Sequence, residues 1–442
     1  MAEACSTEAM ELSTSSSFQN SDRFLLREIE PIKTMSLCRF CGSSLIHTFV
    51  DLGMSPLCES FLTAEQLNEM EPFYPLHTYV CEHCLLVQLQ EYVCPEHIFT
   101  EYAYFSSYSD TWLQHAKAYT DMIVQRFKIG TQSQVVELAS NDGYLLQYFV
   151  QKGIPVLGVE PAANVAQAAI KKGIPTVVKF FGTKTAQEIS AERGKADLLL
   201  GNNVLAHVPD LNDFVAGMKI MLKREGFITM EFPHLMRLMD ENQFDTIYHE
   251  HFSYFSFSTV EKVFAAHRLT IFDVEELPTH GGSLRIYARH SENTEEPVTR
   301  RVIDLRAREE AAGFVRLETY LCFAKKVEET KRNLLNFLIK AKWEGKSIAG
   351  YGAPGKGNTL LNYCGIRTDF IDYTVDRNPY KHGKYTPGTH IPIYDPDKIN
   401  ETRPDYILIL PWNLKTEIMK QLAYVREWGA QFVVPIPEVT IL

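Results

Sequence analysis

The chain has no apolar run approaching the ~20 residues that cross a bilayer, which excludes a membrane-spanning protein. It also lacks a basic surplus. Lys and Arg number 44 against 55 Asp and Glu, a formal charge of −11, whereas a protein that grips nucleic acid through phosphates carries excess cations. Cysteine is sparse and odd in number, nine in 442 residues, so a disulfide scaffold is excluded. No short-period repeat is present. The Ser-rich, acidic stretch up to about residue 33 shows no charged-then-apolar signal pattern. It reads as a disordered tail, alternatively as a docking arm for a partner. The expected location is the cytoplasm, and no coiled-coil seam argues for more than a monomer or weak homo-oligomer. At ~150 residues per domain, the length suggests about three domains.

The few cysteines are placed tellingly. Cys38 and Cys41 form one CxxC in LCRFCGS, and Cys81 and Cys84 form another in VCEHCLL. Each knuckle aims two thiolates at one centre, and two knuckles close a tetrahedral four-thiolate site whose Zn²⁺ is structural. A redox CxxC would open a helix after a strand and would need no second copy. His83, inside the second knuckle, is surplus to such a site.

From Ser133 short apolar runs alternate with helical patterns, as in SQVVELAS, IPVLGVEP, IPTVVKFF, ADLLLGNNVL and FITMEFP. LNDFVAGMKIMLKREG reads as an amphipathic helix ended by Gly226. This predicts an α/β fold with an open, mostly parallel sheet, in which ligands bind beyond the carboxyl ends of the strands. Glu137, Ala139, Asn141 and Gly143 occupy the first strand–helix turn, Glu160 ends the second strand, and Asn202 and Asn203 end the ADLLLG strand. An acidic group at the position of Glu160 can accept hydrogen bonds from both hydroxyls of a ribose. The turn carries Ala139 and Asn141 where dinucleotide folds have glycines for a pyrophosphate. S-adenosylmethionine has no pyrophosphate, so it suits this loop better than NAD.

Next comes FDTIYHEHFSYFS. Its HEH lacks the i, i+4 histidines of a zinc protease. Each histidine taken singly reads better as a packed core residue. Together, Tyr248, Glu250 and His251 supply a donor, an orienter and a base, the parts needed to remove a proton beside a carbonyl. His207 in NVLAHVPDL belongs to the same rim, or else caps a helix. In the last third, KSIAGYGAPGKGNTLLNYCG restarts the strand–loop–helix pattern. Gly350, Gly352, Gly355 and Gly357 surround Lys356, and Arg377 and Lys384 follow in a basic loop. Exposed amides at a helix start beside a lysine can seat an anion, though the loop could equally be a tight structural turn.

CRFCGS…VCEHCLLVQL, YAYFSSYSDTW, VELASNDGYLL, NNVLAHVPDL, YHEHFSYFS, HGGSLRIYA and GYGAPGKGNTLLNY…DRNPYKHGKYTPGTHIPI occur in this order. From about residue 37 to the end they closely resemble the zinc-containing sugar C-methyltransferases of deoxysugar biosynthesis. The resemblance implies a four-cysteine zinc module over residues 34–115 and a Rossmann-like class I methyltransferase domain over 116–300. A second Rossmann-like α/β domain, 301–442, would hold the sugar nucleotide. It further implies methyl transfer from S-adenosylmethionine to C-3 of a nucleotide-linked 4-keto-deoxysugar. His251 would be the base, with Tyr248 and Glu250 beside it and with Tyr104 and His207 as further active-site groups. The keto group makes C-3 acidic, an imidazole held close can take its proton, and donors must meet the enolate oxygen. Two other readings follow from the same features: an RNA methyltransferase using the four-cysteine module as its RNA-binding part, and a catalytically silent protein that binds S-adenosylmethionine or a sugar nucleotide. The acidic balance counts against the first.

Overall fold

The computed structural model describes residues 36–93 and 105–442. Tyr104, one of the residues named above, lies outside them. Among the described residues no helix is long and apolar enough to cross a membrane.

Among the described residues seventeen strands make three sheets. The first is antiparallel, in the order β1 (His47–Ser55), β2 (Tyr74–Val80), β3 (Val87–Leu89) and β9 (Ser253–Tyr254). The two CxxC knuckles flank its start. β9 comes from the middle of the chain, so the segment carrying Tyr248 to His251 runs directly into the cysteine module's sheet.

The second sheet contains β4 (Val135–Leu138), β5 (Val156–Val159), β6 (Thr176–Val177), β7 (Ala196–Asn202), β8 (Leu222–Pro233), β10 (Leu269–Leu277) and β11 (Ser283–His290). Its order is β10-β11-β8-β7-β4-β5-β6, parallel from β8 to β6, with β10 and β11 antiparallel. β4 is buried at all four positions, as expected of a central parallel strand covered on both faces. The chain leaves β4 toward β5 on one side and returns through β7 on the other, which opens a crevice at their carboxyl ends. The helix Asp110–Phe127 covers one face. Ser109 Oγ accepts the Trp112 N–H at its start, and Lys128 ends it in the left-handed region. Its buried stripe, Ala116, Tyr119, Thr120 and Ile123, follows i, i+3, i+4, i+7 spacing. Complete burial of Ile123 alone contributes about 2 kcal/mol.

The third sheet holds β12 (Ile348–Tyr351), β13 (Tyr373–Val375), β14 (Ile393–Tyr394), β15 (Tyr406–Ile409), β16 (Gln431–Val434) and β17 (Thr440–Ile441). The order is β14-β13-β12-β15-β16-β17, parallel except for β17. Here the switch point is β12, and its exit loop feeds the helix Gly355–Cys364.

Two expectations need correction. The helix expected to run to Gly226 ends at Met221, because buried Leu222 pairs with Ala196 and starts β8 five residues earlier. Gly226 lies within β8, where an added Cβ would come 2.9 Å from the Ala196 carbonyl oxygen. The IPTVVKFF strand shrinks to Thr176–Val177, as befits the sheet's edge.

The cysteine module shares cores with both other sheets. Leu45, Cys38, Cys81, Cys84 and Leu86 lie in one apolar cluster with Leu138, Leu199 and Phe232. Phe49, Leu76 and Val80 lie in another with Ile348 and Leu408. Cys81→Ser should therefore lower the melting temperature of the whole chain, by about 5 °C or more, in one calorimetric transition. A separate early transition, with the main one unmoved, would contradict this shared packing.

Candidate active site

The cysteine sulfurs come first because they anchor the rest. Sγ of Cys38, Cys41, Cys81 and Cys84 all lie within 4.8 Å of one another. Cys38 and Cys84 are 3.5 Å apart, and Cys41 and Cys81 are 3.4 Å apart. A Zn–S bond of ~2.3 Å gives tetrahedral S···S edges of about 3.8 Å, so the donor set fits Zn²⁺. The Cys84 thiol, helped by the backbone at Cys41 and the Gln88 amide, holds the Cys38 thiol down to about 4, in the range of a thiolate ligand.

A cavity of about 1100 Å³ opens where the carboxyl ends of β4, β5 and β7 face the exit loop of β12. Ala139, Asn141, Glu160, Asn202, Asn203, His207, Tyr248, Glu250, His251, Lys356 and Lys384 all line it, so most residues singled out in the sequence meet in one place. Three do not. Glu137 is fully buried beneath the floor, where burial and then the Glu160 and Asp142 carboxylates push its carboxyl well above the ordinary range. Gly143 shapes the turn without facing the cavity. Arg377 is exposed, its guanidinium 3.9 Å from Glu417.

On the β4–β5 side the backbone does what glycines do elsewhere. Ala139, Asn141 and Gly143 all have positive φ, 54°, 49° and 76°. A side chain at such an angle costs roughly 1–2 kcal/mol, and the compensation is visible. The Asn141 N–H donates to Glu160 Oε2 and its side-chain carbonyl accepts from Ser106 N, both at 2.9 Å. The Ala162 N–H donates to Glu160 Oε1, also at 2.9 Å. Two amides thus orient the Glu160 carboxylate and leave further lone pairs for a ribose. Trp112 stacks on Tyr144, and Asn202 donates to the Tyr144 hydroxyl, completing an aromatic, hydrogen-bonding wall. These residues fit the nucleoside and amino-acid parts of S-adenosylmethionine.

Opposite stands the Tyr248–Tyr254 segment. His251 Nδ1 lies 2.8 Å from the Thr246 carbonyl oxygen. A carbonyl only accepts, so the ring donates through Nδ1–H and its basic lone pair rests on Nε2. The Tyr248 ring packs 4.1 Å from the His251 ring, and the His207 ring meets it edge-on at 4.7 Å. Burial, then the neighbouring His207, with smaller effects of His280 and Lys356, hold the His251 imidazole well below 6.5. Burial lowers His207 to about 4, a shift that the Glu250 backbone carbonyl partly opposes. Tyr248 is pushed far up by burial and stays a protonated donor.

Several groups here were not singled out in the sequence. His280 has a left-handed backbone, φ 56°, just before Gly281 and Gly282, and accepts from the Asn203 amide at 2.9 Å. The HGG string was its only signal. The Cys58 thiol donates to Glu250 Oε1 across 3.9 Å. Asp245 is wholly buried and raised to about 6 by that burial, and it accepts from Trp412 Nε1 at 2.7 Å. Lys356 lies 4.8 Å over the Trp412 ring and donates to Asn413 at 3.2 Å. Among the described residues it has no carboxylate within ion-pair distance. Lys381 pairs with Glu59 at 3.4 Å.

A Rossmann-type sheet with a carboxylate held by two amides at its second strand end, beside a zinc-type cysteine cluster, fits a methyltransferase dependent on S-adenosylmethionine. The comparisons with known proteins sharpen this. Residues 38–99 match a zinc binding domain family, residues 112–273 a methyltransferase domain family, and residues 278–437 a C-methyltransferase C-terminal domain family. The chain is 35% identical over 411 residues to the C-methyltransferase NovU of Streptomyces niveus, covering 93% of this chain and 98% of that protein. It therefore belongs to this C-methyltransferase family. A ubiquinone biosynthesis O-methyltransferase of Bartonella tribocorum is 28% identical over 96 residues, 22% of this chain and 39% of that one. Magnesium protoporphyrin IX methyltransferase of Synechocystis PCC 6803, solved with bound S-adenosylmethionine, aligns with a TM-score of 0.32 at 15% identity. That alignment covers 40% of this chain and 79% of the other.

The Glu160 geometry makes a direct prediction. Glu160→Gln replaces an acceptor oxygen by an NH₂ that confronts a backbone N–H. The dissociation constant for S-adenosylmethionine, measured by calorimetry, should rise about tenfold or more. Unchanged affinity would remove Glu160 from the cofactor site.

Proposed function

We propose that this enzyme methylates the carbon alpha to the keto group, C-3, of a nucleotide-linked 4-keto-deoxysugar through an enolate. The observation that carries this reading is His251, whose Nδ1–H is tied to the Thr246 carbonyl so that Nε2 is a free base in a cavity shared with the cofactor site. In this reading residues 116–300 work on the cofactor and residues 301–442 hold the nucleotide.

Each residue then has a task. His251 Nε2 takes the C-3 proton, and the C–H electron pair moves into the C-3–C-4 bond and onto the keto oxygen. Tyr248 keeps its proton and is the donor for that oxygen; Tyr104 is a second candidate. His207, edge-on to the His251 ring, is a further candidate donor. Bound S-adenosylmethionine supplies an electrophilic methyl group, which C-3 takes up as the sulfonium becomes a thioether. Glu250 and Cys58 form one wall of the sugar site. Lys356, at the start of the helix Gly355–Cys364, would face the diphosphate together with the first-turn amides and Lys384. Arg377 would act on the anion only from outside the cavity.

The low basicity of His251 has a definite sign. A base must be unprotonated, and a depressed value keeps it so to lower pH than an ordinary histidine. The acid limb of kcat/KM should therefore fall below pH 6.5. A limb at or above 6.5 would exclude His251 as the titrating base. Among dTDP-, UDP- and GDP-linked 4-keto sugars, at least one should gain a methyl group by mass. His251→Gln should cut that turnover at least about a hundredfold with cofactor binding intact. Lys356→Met should raise KM for the sugar nucleotide about tenfold or more and leave cofactor affinity unchanged. No methylated product from any of these sugars would refute the proposed substrate class.

A further inference from the structure

The first zinc knuckle carries a side chain that reaches the wall of the reaction cavity. Arg39 stands between Cys38 and Cys41. Its backbone N–H donates to Gln88 Oε1 at 2.9 Å, and Gln88 Nε2 donates to Cys38 Sγ at 3.2 Å. Gln88 lies on β3 opposite Ser253 of β9. The half-buried guanidinium then turns inward. Nη1 donates to the Pro209 carbonyl at 2.9 Å, Nη2 donates to the Leu89 carbonyl, and the planar group lies 5.4 Å from the Phe252 ring centre.

Those contacts have one feature in common. Pro209 is two residues beyond His207, and Phe252 directly follows His251. The Leu89 N–H donates to the Phe252 carbonyl at 3.0 Å, and the Phe252 N–H donates to the Ala206 carbonyl at 2.7 Å. One cation thus braces both loops whose rings meet at 4.7 Å. The knuckle is held in return, because the Asn212 amide donates to the Arg39 and Phe40 carbonyls at 3.2 and 2.9 Å. A lysine could keep the charge but not the flat fork that serves two carbonyls while stacking on a ring.

We propose that Arg39 is a positioning residue for the His207–His251 pair, so that the folded zinc knuckle sets the geometry of the reacting centre. Zinc bound by the four cysteines keeps the knuckle rigid, and Arg39 carries that rigidity to the two loops. A displacement of about 1 Å at a base costs about a hundredfold in rate, which is the scale of effect available to such a brace. Only the kinetic part of this inference rests on the assignment of His251 as the base.

The test uses the full, zinc-loaded chain with Arg39→Ala and Arg39→Lys. Amide exchange followed by mass spectrometry reads the two loops, residues 204–210 and 250–254. Arg39→Ala should keep its zinc and its cofactor affinity while exchange in both loops accelerates about tenfold. Turnover should fall about tenfold or more through kcat, with KM for S-adenosylmethionine unchanged, and guanidinium ion should restore part of it. Arg39→Lys should lie between. Unchanged protection in both loops, or accelerated exchange with wild-type kcat, would overturn the proposal. Should Arg39→Ala lose its zinc or fail to fold, Arg39→Lys decides: full protection and full kcat in that variant refute the brace. If no sugar nucleotide is methylated even by the wild type, the substrate reading fails and loop exchange still decides the role of Arg39.

Discussion

The backbone of Phe252 is where the molecule is tied together. Its N–H donates to the Ala206 carbonyl, at the end of the cofactor-side loop, and its carbonyl accepts from Leu89 in the cysteine module's sheet. Two backbone hydrogen bonds of ordinary strength thereby hold His251 between the cysteine module's sheet and the cofactor-side loop. Both bonds join backbone atoms, so the register of β3 with β9 and the exit of β7 place the ring, and the Arg39 contacts brace the same two loops. That register is in turn held by packing, since Val87 and Leu89 are wholly buried. A zinc-type module that could have been an appendage is instead one wall of the scaffold that carries His251.

The chemistry of the cavity follows from the burial of its basic side chains. His207, His251 and His280 each pay for protonation in lost hydration, and the nearby Lys356 adds to that cost at His251 and His280. Neutral imidazoles result, which can accept a proton or donate one N–H along a fixed direction. The Thr246 carbonyl chooses the tautomer at His251, and the Asn203 amide chooses it at His280. The acidic overall balance of the chain leaves room for a local cation, because among the described residues Lys356 has no carboxylate within ion-pair distance and its charge can meet a ligand.

Local chemistry was the legible part of the sequence. Two CxxC knuckles announce their own partner, and strand–helix alternation announces a parallel sheet, because both are written within a few dozen residues. That Glu160, Asn203, His207, Tyr248 and His251 line one cavity was legible as well, since such sheets open a crevice beyond their strand ends. The contacts that were not legible cross the chain. Trp412 reaches Asp245, Cys58 reaches Glu250, and Arg39 reaches Pro209, all through pairings of sheets that no local pattern records. Glu137 was read as facing the cofactor because it stands near a strand end, but it is wholly buried and does not line the cavity. Gly226 was read as a helix stop. Tertiary pairing of Leu222 with Ala196 overrode that local signal, as strand partners commonly do. Ala139 and Asn141 show the opposite case: the loop lacks the usual glycines yet adopts their conformation, held by Glu160 and Ser106.

The account stands or falls on whether His251 Nε2 removes the C-3 proton before methyl transfer. The direct measurement is exchange of that proton with deuterated water in a 4-keto sugar nucleotide, followed by magnetic resonance without S-adenosylmethionine. The wild-type enzyme should wash deuterium into C-3, and His251→Gln should not. Exchange retained in the variant, or absent from a wild-type enzyme that still methylates the same sugar, would contradict the enolate mechanism with His251 as its base.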